Sequence, residues 1–421
     1  MCIRDRSQLP NVEGALVSLR PDDGALLALS GGFNFFASKF NRATQARRQP
    51  GSNIKPFIYS AALDNGFSPG SMISGAPVVV KDNSLGSAWR PENYSKKFFG
   101  LTRMREALKR SLNLVSIRLM RSVGIEQARQ HLQKFGFLPE NLPNNLSLAL
   151  GTASLLPLEV ARGYAVFANG GFLITPYFVE RIEDSANEIV FQAQPLTACK
   201  LCPTPAELFQ APLQNPLPDD STAVIASGLD ETPVEAKESE LTIEQEMEEN
   251  APAHAPWAIS RENAFLITSM LQEVIRSGTG RKARSLGRSD IGGKTGTTND
   301  QQDAWFSGFG PGVETTVYIG FDKPAPMGRR EVGGRAALPV WIDYMEVALK
   351  GVPEKLPDIP SGIVPVYINK LTGKQVSEDH PQAMLEYFMA GQEPEPESQS
   401  IGNPLFPDQQ PPGEGLPDDI L

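Results

Sequence analysis

One stretch, Gly292-Gly293-Lys294-Thr295-Gly296-Thr297-Thr298, limits the folds open to this chain more than any other. It follows Ser289-Asp290-Ile291 and leads into Asp303-Ala304-Trp305-Phe306-Ser307-Gly308, where small and bulky residues alternate as in a half-buried strand. Thr315 to Phe321 reads as a third strand, so three consecutive antiparallel strands are expected. Glycines at 292, 293 and 296 let another backbone, or a ligand lying along the strand edge, come close. Lys294 adds a fixed cation, and Thr295, Thr297 and Thr298 add hydroxyls. Such an edge suits an extended peptide that ends in a carboxylate and adds as a strand. The same letters also describe a glycine-rich strand with one exposed lysine, because Gly, Lys and Thr are common residues.

A second stretch bears on that choice. Gln49-Pro50-Gly51-Ser52-Asn53-Ile54-Lys55-Pro56-Phe57 predicts a helix start, with Ser52 as N-cap and apolar residues at Ile54, Phe57, Ile58 and Ala61. Pro56 fits only in the first turn, where a missing N–H costs little. Ser52 then sits where backbone N–H groups and the helix dipole favour developing negative charge. Lys55 lies one turn on, on the same face. A serine and a lysine so placed are a nucleophile and a candidate base. Taken alone, Ser-x-x-Lys arises by chance about once in a chain of this length, and a capping serine beside a solvated lysine explains it equally well.

The third stretch is Lys109-Arg110-Ser111-Leu112-Asn113, between amphipathic runs from Arg103 to Leu108 and from Leu114 to Val123. Ser111 and Asn113 at a helix junction can act as caps. They can also face a cleft, where the hydroxyl relays a proton and the amide holds a peptide group. The three histidines, His131, His254 and His380, lie far from all three stretches in sequence. That argues against a Ser-His-Asp arrangement and leaves a lysine as the base.

Taken together, Ser52-x-x-Lys55, Ser111-x-Asn113 and Lys294-Thr295-Gly296 follow the order catalogued for penicillin-binding proteins and class A β-lactamases. From about Val12 to about Leu349, and more weakly to Asn369, the chain resembles the transpeptidase domain of bifunctional class A penicillin-binding proteins of the 1A type found in Gram-negative bacteria. Gly14-Ala15-Leu16-Val17, Gly31-Gly32-Phe33, Arg48-Gln49-Pro50-Gly51-Ser52, Leu150-Gly151-Thr152 and Asp303-Ala304-Trp305-Phe306 carry the resemblance. It implies an α+β fold of the penicillin-binding protein/β-lactamase type, an antiparallel sheet flanked by helices. It also implies a peptidoglycan D,D-transpeptidase that cross-links stem peptides through a Ser52 acyl-enzyme, without metal or cofactor. Lys55 would be the base, Ser111 the proton relay, and the N–H groups of Ser52 and Thr297 the oxyanion hole. Asn113 would hold the substrate amide, and Lys294, Thr295, Gly296 and Thr297 would line the carboxylate site. Family members carry a membrane anchor and a glycosyltransferase domain ahead of this domain. Neither occurs in this sequence, whose first residues, Met1 to Arg6, have no pattern, so a truncated chain is expected. The family works at the periplasmic face of the inner membrane, with possible cell-wall synthesis partner proteins.

The rest of the 421 residues can be read around that frame. Val12 to Arg20 and Ala25 to Leu29 flank Pro21-Asp22-Asp23-Gly24 as a hairpin. The loop from Ala76 to Phe99 borders the cleft in the family, which makes Trp89 and Tyr94 candidates for substrate contact. Burial as anchoring aromatics is the expectation for both. Helices are expected over Ile125 to Phe135, Leu158 to Ala168, Glu262 to Arg276 and Pro339 to Leu349, and a strand and hairpin over Phe172 to Phe191. The expected division is 7–195 and 258–350 as two parts of the transpeptidase domain, 196–257 as an insert, 351–390 as a C-terminal extension and 391–421 as a disordered tail. Within the insert, Cys199 and Cys202 form a lone C-x-x-C with no second pair for zinc and no thioredoxin-like surroundings. In an oxidising periplasm a short disulfide is the expectation.

Charge is uneven. The chain carries −10, of which −8 lies in the acidic run 230–249 and −7 in the tail, leaving +5 on the remainder. The run and the tail are expected to be solvated and mobile. A mildly basic body suits anionic stem peptides, and the β-lactams that mimic them. No clustered basic stripe with interleaved aromatics points to nucleic acid. Three other functions share much of this pattern: a D,D-carboxypeptidase, a serine β-lactamase and a non-enzymatic β-lactam sensor. Against the second, Glu140-Asn141-Leu142-Pro143-Asn144 does not match the Glu-x-x-Leu-Asn loop of class A β-lactamases, and Ser111-Leu112-Asn113 departs from their Ser-Asp-Asn.

Overall fold

The structure, a computed structural model, describes residues 10–82, 87–199, 202 and 254–397. The first hairpin forms as its alternation predicts, from β1 (Glu13–Leu19) and β2 (Leu26–Ser30). Gly24 closes the turn at φ +84, and a Cβ there would lie 2.4 Å from the Thr175 carbonyl oxygen. Short ribbons follow: β3 (Met72–Ser74) with β6 (Leu101–Arg103), β4 (Val80–Asp82) with β5 (Ser87–Trp89), and β7 (Arg181–Glu183) with β8 (Ile189–Gln192). The last of these is the hairpin expected before Phe191.

The glycine-rich stretch is β9 (Gly292–Thr297). It is followed by β10 (Asp303–Gly310) and β11 (Val313–Gly320), all antiparallel. The sheet order is β2-β1-β11-β10-β9, so β9 is an edge strand and the first hairpin shares one sheet with strands from far along the chain. β12 (Ile363–Asn369) and β13 (Ala383–Met389) form a separate ribbon. Glu386 fastens it to the body through Arg105 at 2.5 Å.

Eight helices are labelled in chain order: α1 (Arg42–Gln45), α2 (Lys55–Asp64), α3 (Met104–Arg110), α4 (Asn113–Val123), α5 (Ile125–Gln133), α6 (Pro157–Ala168), α7 (Arg261–Ser277) and α8 (Ala337–Ala348). The apolar positions of α7, Phe265, Leu266, Ile267, Met270, Leu271, Val274 and Ile275, are all buried, and Ser260 caps it by accepting from Asn263 N at 3.1 Å. Trp305, Phe309 and Tyr318 pack in the core on the side of α2, α6 and α7. Phe306 and Val317 pack with Leu338, Trp341 and Met345 of α8 on the other. Every residue of β10 is therefore buried, which corrects the half-buried expectation. A strand covered on both faces gains burial twice, about 1.5–3 kcal/mol for each large apolar side chain.

Cys199 and Cys202 are joined as a disulfide. The expected insert leaves and returns at neighbouring points, with Ala255 N donating to Thr197 O at 2.8 Å. Its acidic run, and the tail beyond Glu397, lie outside the described residues. The tail's first residues run beside Gln375, whose carbonyl accepts from Glu397 N at 2.8 Å. Among the described residues no helix is long and apolar enough to cross a membrane.

Candidate active site

Ser52 lies within a 3-10 turn, Gly51–Ile54, that runs directly into α2. It is not the N-cap of the α-helix. Pro50 precedes the turn, and Pro56 falls in the first turn of α2 as its missing N–H requires. The tighter winding eclipses side chains three apart, so Ser52 and Lys55 come one above the other. Lys55 N donates to Ser52 O.

Glycines wedge this turn in place. Gly51 has φ +54, and a Cβ on it would lie 2.5 Å from Thr297 O. A Cβ on Gly296 would lie 2.3 Å from Pro50 O, and one on Gly151 would lie 2.0 Å from Gly51 O. Gly51 N also donates to Gly151 O at 3.2 Å. The Ser52 turn is thus pressed between the Leu150-Gly151 segment and the free edge of β9. Gly51→Ala must hold a left-handed residue and push back the Thr297 carbonyl. It is expected to cost roughly 2 kcal/mol or more, read as a lower urea midpoint, and to slow any reaction at Ser52. An unchanged midpoint would mean that β9 yields freely.

Both lysines are fully buried, contrary to the solvated alternatives. Lys55 Nζ donates to Ser111 O and Asn113 Oδ1, each at 2.7 Å, and reaches Ser111 Oγ at 3.3 Å. Lys294 Nζ donates to the same Ser111 Oγ at 2.9 Å and to Thr295 O at 3.0 Å. Ser111 ends α3 in the left-handed conformation, φ 59, a strained position for a serine and typical of functional sites. Burial first, and then the Lys294 charge, hold the Lys55 ammonium well below its usual value. Burial lowers Lys294 to about 7. The geometry accommodates one neutral amine and one ammonium. A neutral Lys55 spends its two N–H groups on the two oxygens at 2.7 Å and keeps its lone pair for a hydroxyl proton.

Ser52 and Thr297 are half-buried, so the site opens to solvent beside them. Thr298 N donates to Asp303 O at 3.1 Å. By strand alternation the N–H of Thr297 then points away from β10, off the free edge and towards the Ser52 turn. The Thr295 and Thr297 hydroxyls, on the opposite strand face from Lys294, already have partners. Thr295 Oγ1 meets Thr279 Oγ1 at 2.8 Å, and Thr297 Oγ1 accepts from Gly333 N at 3.0 Å. Asn113 Nδ2 donates to Glu92 O at 2.8 Å, which leaves one amide N–H for a ligand.

Several residues at the site carry no local sequence signal. Asn93 is buried in the loop ahead of α3, and its Oδ1 accepts from Asn113 N at 2.8 Å and Leu114 N at 3.3 Å. It caps α4 from twenty residues away. With Asn93 anchoring the loop, Tyr94 is 70% exposed, which corrects its expected burial; Trp89 is half-buried against the main core. Arg48 and Asp303 form a buried ion pair at 2.6 Å that ties the segment before Ser52 to β10. Thr279, just past the end of α7, reaches Thr295 across the site.

A Ser-His-Asp contact does occur, but elsewhere. His131 Nε2 lies 2.9 Å from Ser60 Oγ, and His131 Nδ1 lies 3.3 Å from Asp64. Ser60 is fully buried and donates to Asn263 Oδ1 at 2.8 Å, so this cluster ties α2, α5 and α7 together in the core. No group of three or more His, Cys, Asp or Glu among the described residues could hold a metal ion.

Comparison with known proteins agrees with this geometry. Residues 14–345 match the family model described as penicillin binding protein transpeptidase domain. The chain is 44% identical over 412 residues to penicillin-binding protein 1A of Pseudomonas aeruginosa, covering 98% of this chain and 48% of that protein. It is 42% identical over 411 residues to penicillin-binding protein 1A of Escherichia coli K12, covering 92% and 48%. The crystal structure of penicillin-binding protein 1A from Haemophilus influenzae superposes with a TM-score of 0.78 at 39% identity, covering 92% of this chain and 55% of that one. The chain spans about half the length of the curated relatives it matches. With residues 14–345 matched to the model and a sheet edge, serine turn and paired lysines to accompany them, the chain belongs to the family of penicillin-binding protein transpeptidase domains.

Proposed function

We propose that this chain is a serine D,D-transpeptidase that cross-links peptidoglycan stem peptides through an acyl-enzyme on Ser52. The observation that carries the reading is the convergence of two buried lysines on Ser111 Oγ, beside a serine turn wedged against a free strand edge. A stem peptide ending in D-Ala–D-Ala lies along β9 as an added strand, its carboxylate near Lys294, Thr295, Gly296 and Thr297. Ser52 Oγ attacks the penultimate D-Ala carbonyl while its proton passes to the neutral amine of Lys55. The N–H groups of Ser52 and Thr297 hold the oxyanion, at ~2.7–4 kcal/mol per donor. The C–N bond then breaks, and the leaving D-Ala amine takes a proton relayed from Lys55 through Ser111. An amine of a second stem peptide resolves the ester and frees Ser52. Penicillin enters the same path but leaves no departing amine, so its acyl group stays. We further propose that it acts at the periplasmic face of the inner membrane, as the family resemblance implies.

Two features weigh against a β-lactamase. Glu140 is exposed in its own short turn, and the Ser111-Leu112-Asn113 stretch lacks the aspartate. Labelling with a fluorescent penicillin, followed by an hours-long chase, tests the reading. Label that persists is expected. Rapid loss with release of hydrolysed penicillin would make the chain a β-lactamase. A donor peptide with and without an acceptor amine separates cross-linking from carboxypeptidase trimming.

A further inference from the structure

We propose that Glu314 is a positioning residue for the nucleophile turn, acting on Ser52 through Thr316, Ser307 and Asn53. The inference rests on Ser52 being the nucleophile. Glu314 stands on β11, fully buried, on the sheet face that meets α2 and α6. Its Oε1 accepts from Thr316 Oγ1 at 2.8 Å. Thr316 Oγ1 lies 2.7 Å from Ser307 Oγ, its direct cross-strand partner in the sheet. Asn53 Nδ2 donates to Ser307 Oγ at 2.7 Å. Tyr164 OH, from α6, closes the far side of Asn53 on its Oδ1 at 2.8 Å and its carbonyl at 2.7 Å.

Ser307 Oγ accepts from both Asn53 Nδ2 and Thr316 Oγ1, and Thr316 Oγ1 also reaches Glu314 Oε1, so one hydroxyl couples the carboxyl to the Asn53 anchor. With an apolar residue at 314, the Thr316 hydroxyl would lose a polar partner on a fully buried face and be free to turn off Ser307. A buried carboxyl in mid-sheet is a costly terminus, and burial holds it well above the usual carboxylate range. Its second oxygen, Oε2, carries no hydrogen bond among the described residues. An apolar side chain would suit the sheet's stability better, so a carboxyl at this position points to a use beyond packing.

That use lies at Asn53, next in sequence to Ser52 and fully buried. The 3-10 turn has no side-chain cap. The glycine wedge restrains its backbone from the β9 side, and Asn53 is its polar anchor on the sheet face. Nucleophilic attack is sensitive to displacements near 1 Å. A hydrogen-bond path that fixes the Asn53 amide therefore fixes the aim of the Ser52 hydroxyl.

Thr316→Val tests this, because it is isosteric and breaks the path at its middle. Acylation by penicillin is expected to slow by about tenfold, with non-covalent affinity changed by less than about twofold. Thr316→Ser is expected to restore the rate. Glu314→Leu should match Thr316→Val, while Glu314→Gln, which keeps an accepting oxygen, should rescue it. The double variant Thr316→Val with Glu314→Leu should be no slower than either single one, since both cut one path. Folding is checked by a cooperative melt, and the acylated peptide by mass. Thr316→Val and Glu314→Leu acylating at the parent rate, or their effects multiplying, would overturn the proposal. If Glu314→Leu does not fold, Thr316→Val against Thr316→Ser decides alone. A parent chain acylated elsewhere than Ser52 would instead overturn the nucleophile assignment, a separate result.

Discussion

Ser52→Ala is expected to abolish covalent labelling by penicillin, a loss in acylation rate on the order of 10⁴-fold or more, with the melting curve almost unchanged. The magnitude follows from the lack of a substitute. The hydroxyl that both lysines reach, Ser111 Oγ, is held by Lys294 Nζ at 2.9 Å and lies 3.3 Å from Lys55 Nζ, on a residue locked at φ 59. It cannot swing to the β9 edge without leaving both lysines. Stability should barely move, because Ser52 is half-buried and its side chain takes part in none of the hydrogen bonds among the described residues. Alanine also suits the helical winding better than serine. Intact mass after incubation with penicillin reads the result directly. A Ser52→Ala chain that still gains the mass of one penicillin would place the nucleophile elsewhere, with Ser111 the first residue to map.

What the sequence carried, and what it did not, divides along contact distance. The β1–β2 hairpin, the three strands from Gly292 and the buried stripe of α7 all rest on local periodicity, and all formed. Ser52, Lys55, Ser111, Asn113 and Lys294 were legible as three spaced groups, and the lysines meet on Ser111 Oγ. Their burial was not legible, because it depends on α2, the α3–α4 junction and β9 meeting from far apart along the chain. The Ser52 turn was read as an N-cap because serine before an apolar run is a capping signal. The 3-10 winding comes instead from Gly51, which takes a positive φ to fit beneath Thr297 O. Asn93, Thr279 and the Arg48–Asp303 pair act across 16 to 255 residues. None of these pairs falls within a single helix, strand or turn motif. Tyr94 shows the converse. An aromatic in an irregular loop reads as an anchor, yet a neighbouring asparagine does the anchoring and the ring stays at the surface.

Lys55→Gln is expected to lower acylation by about 10²–10⁴-fold and to remove its acid limb. In the parent chain the limb arises because an ammonium cannot take the Ser52 proton. Burial, aided by Lys294, holds the Lys55 pKa well below its usual value, so activity appears as pH rises through that lowered value and is lost below it. The alkaline side belongs to Lys294. Its pKa of about 7 in the empty site means that its cation, and the grip on a carboxylate, fade above that pH. A bound carboxylate raises the value again. The second-order acylation constant, which reports the free protein, should therefore fall above about 7, while the rate at saturating penicillin should hold to higher pH. Stability runs the other way from function. A lysine whose folded pKa is depressed binds fewer protons folded than unfolded. The cost of burying its charge is present in full below the folded pKa and relieved as pH rises from there towards 10.5. The parent should thus melt higher at pH 9 than at pH 6, and Lys55→Gln should flatten that slope even as it loses acylation. A glutamine variant that acylates at the parent rate with the acid limb intact would remove Lys55 as the base. A parent melt that falls between pH 6 and 9 would mean that both lysines stay charged when buried, and the neutral-amine mechanism would fall with it.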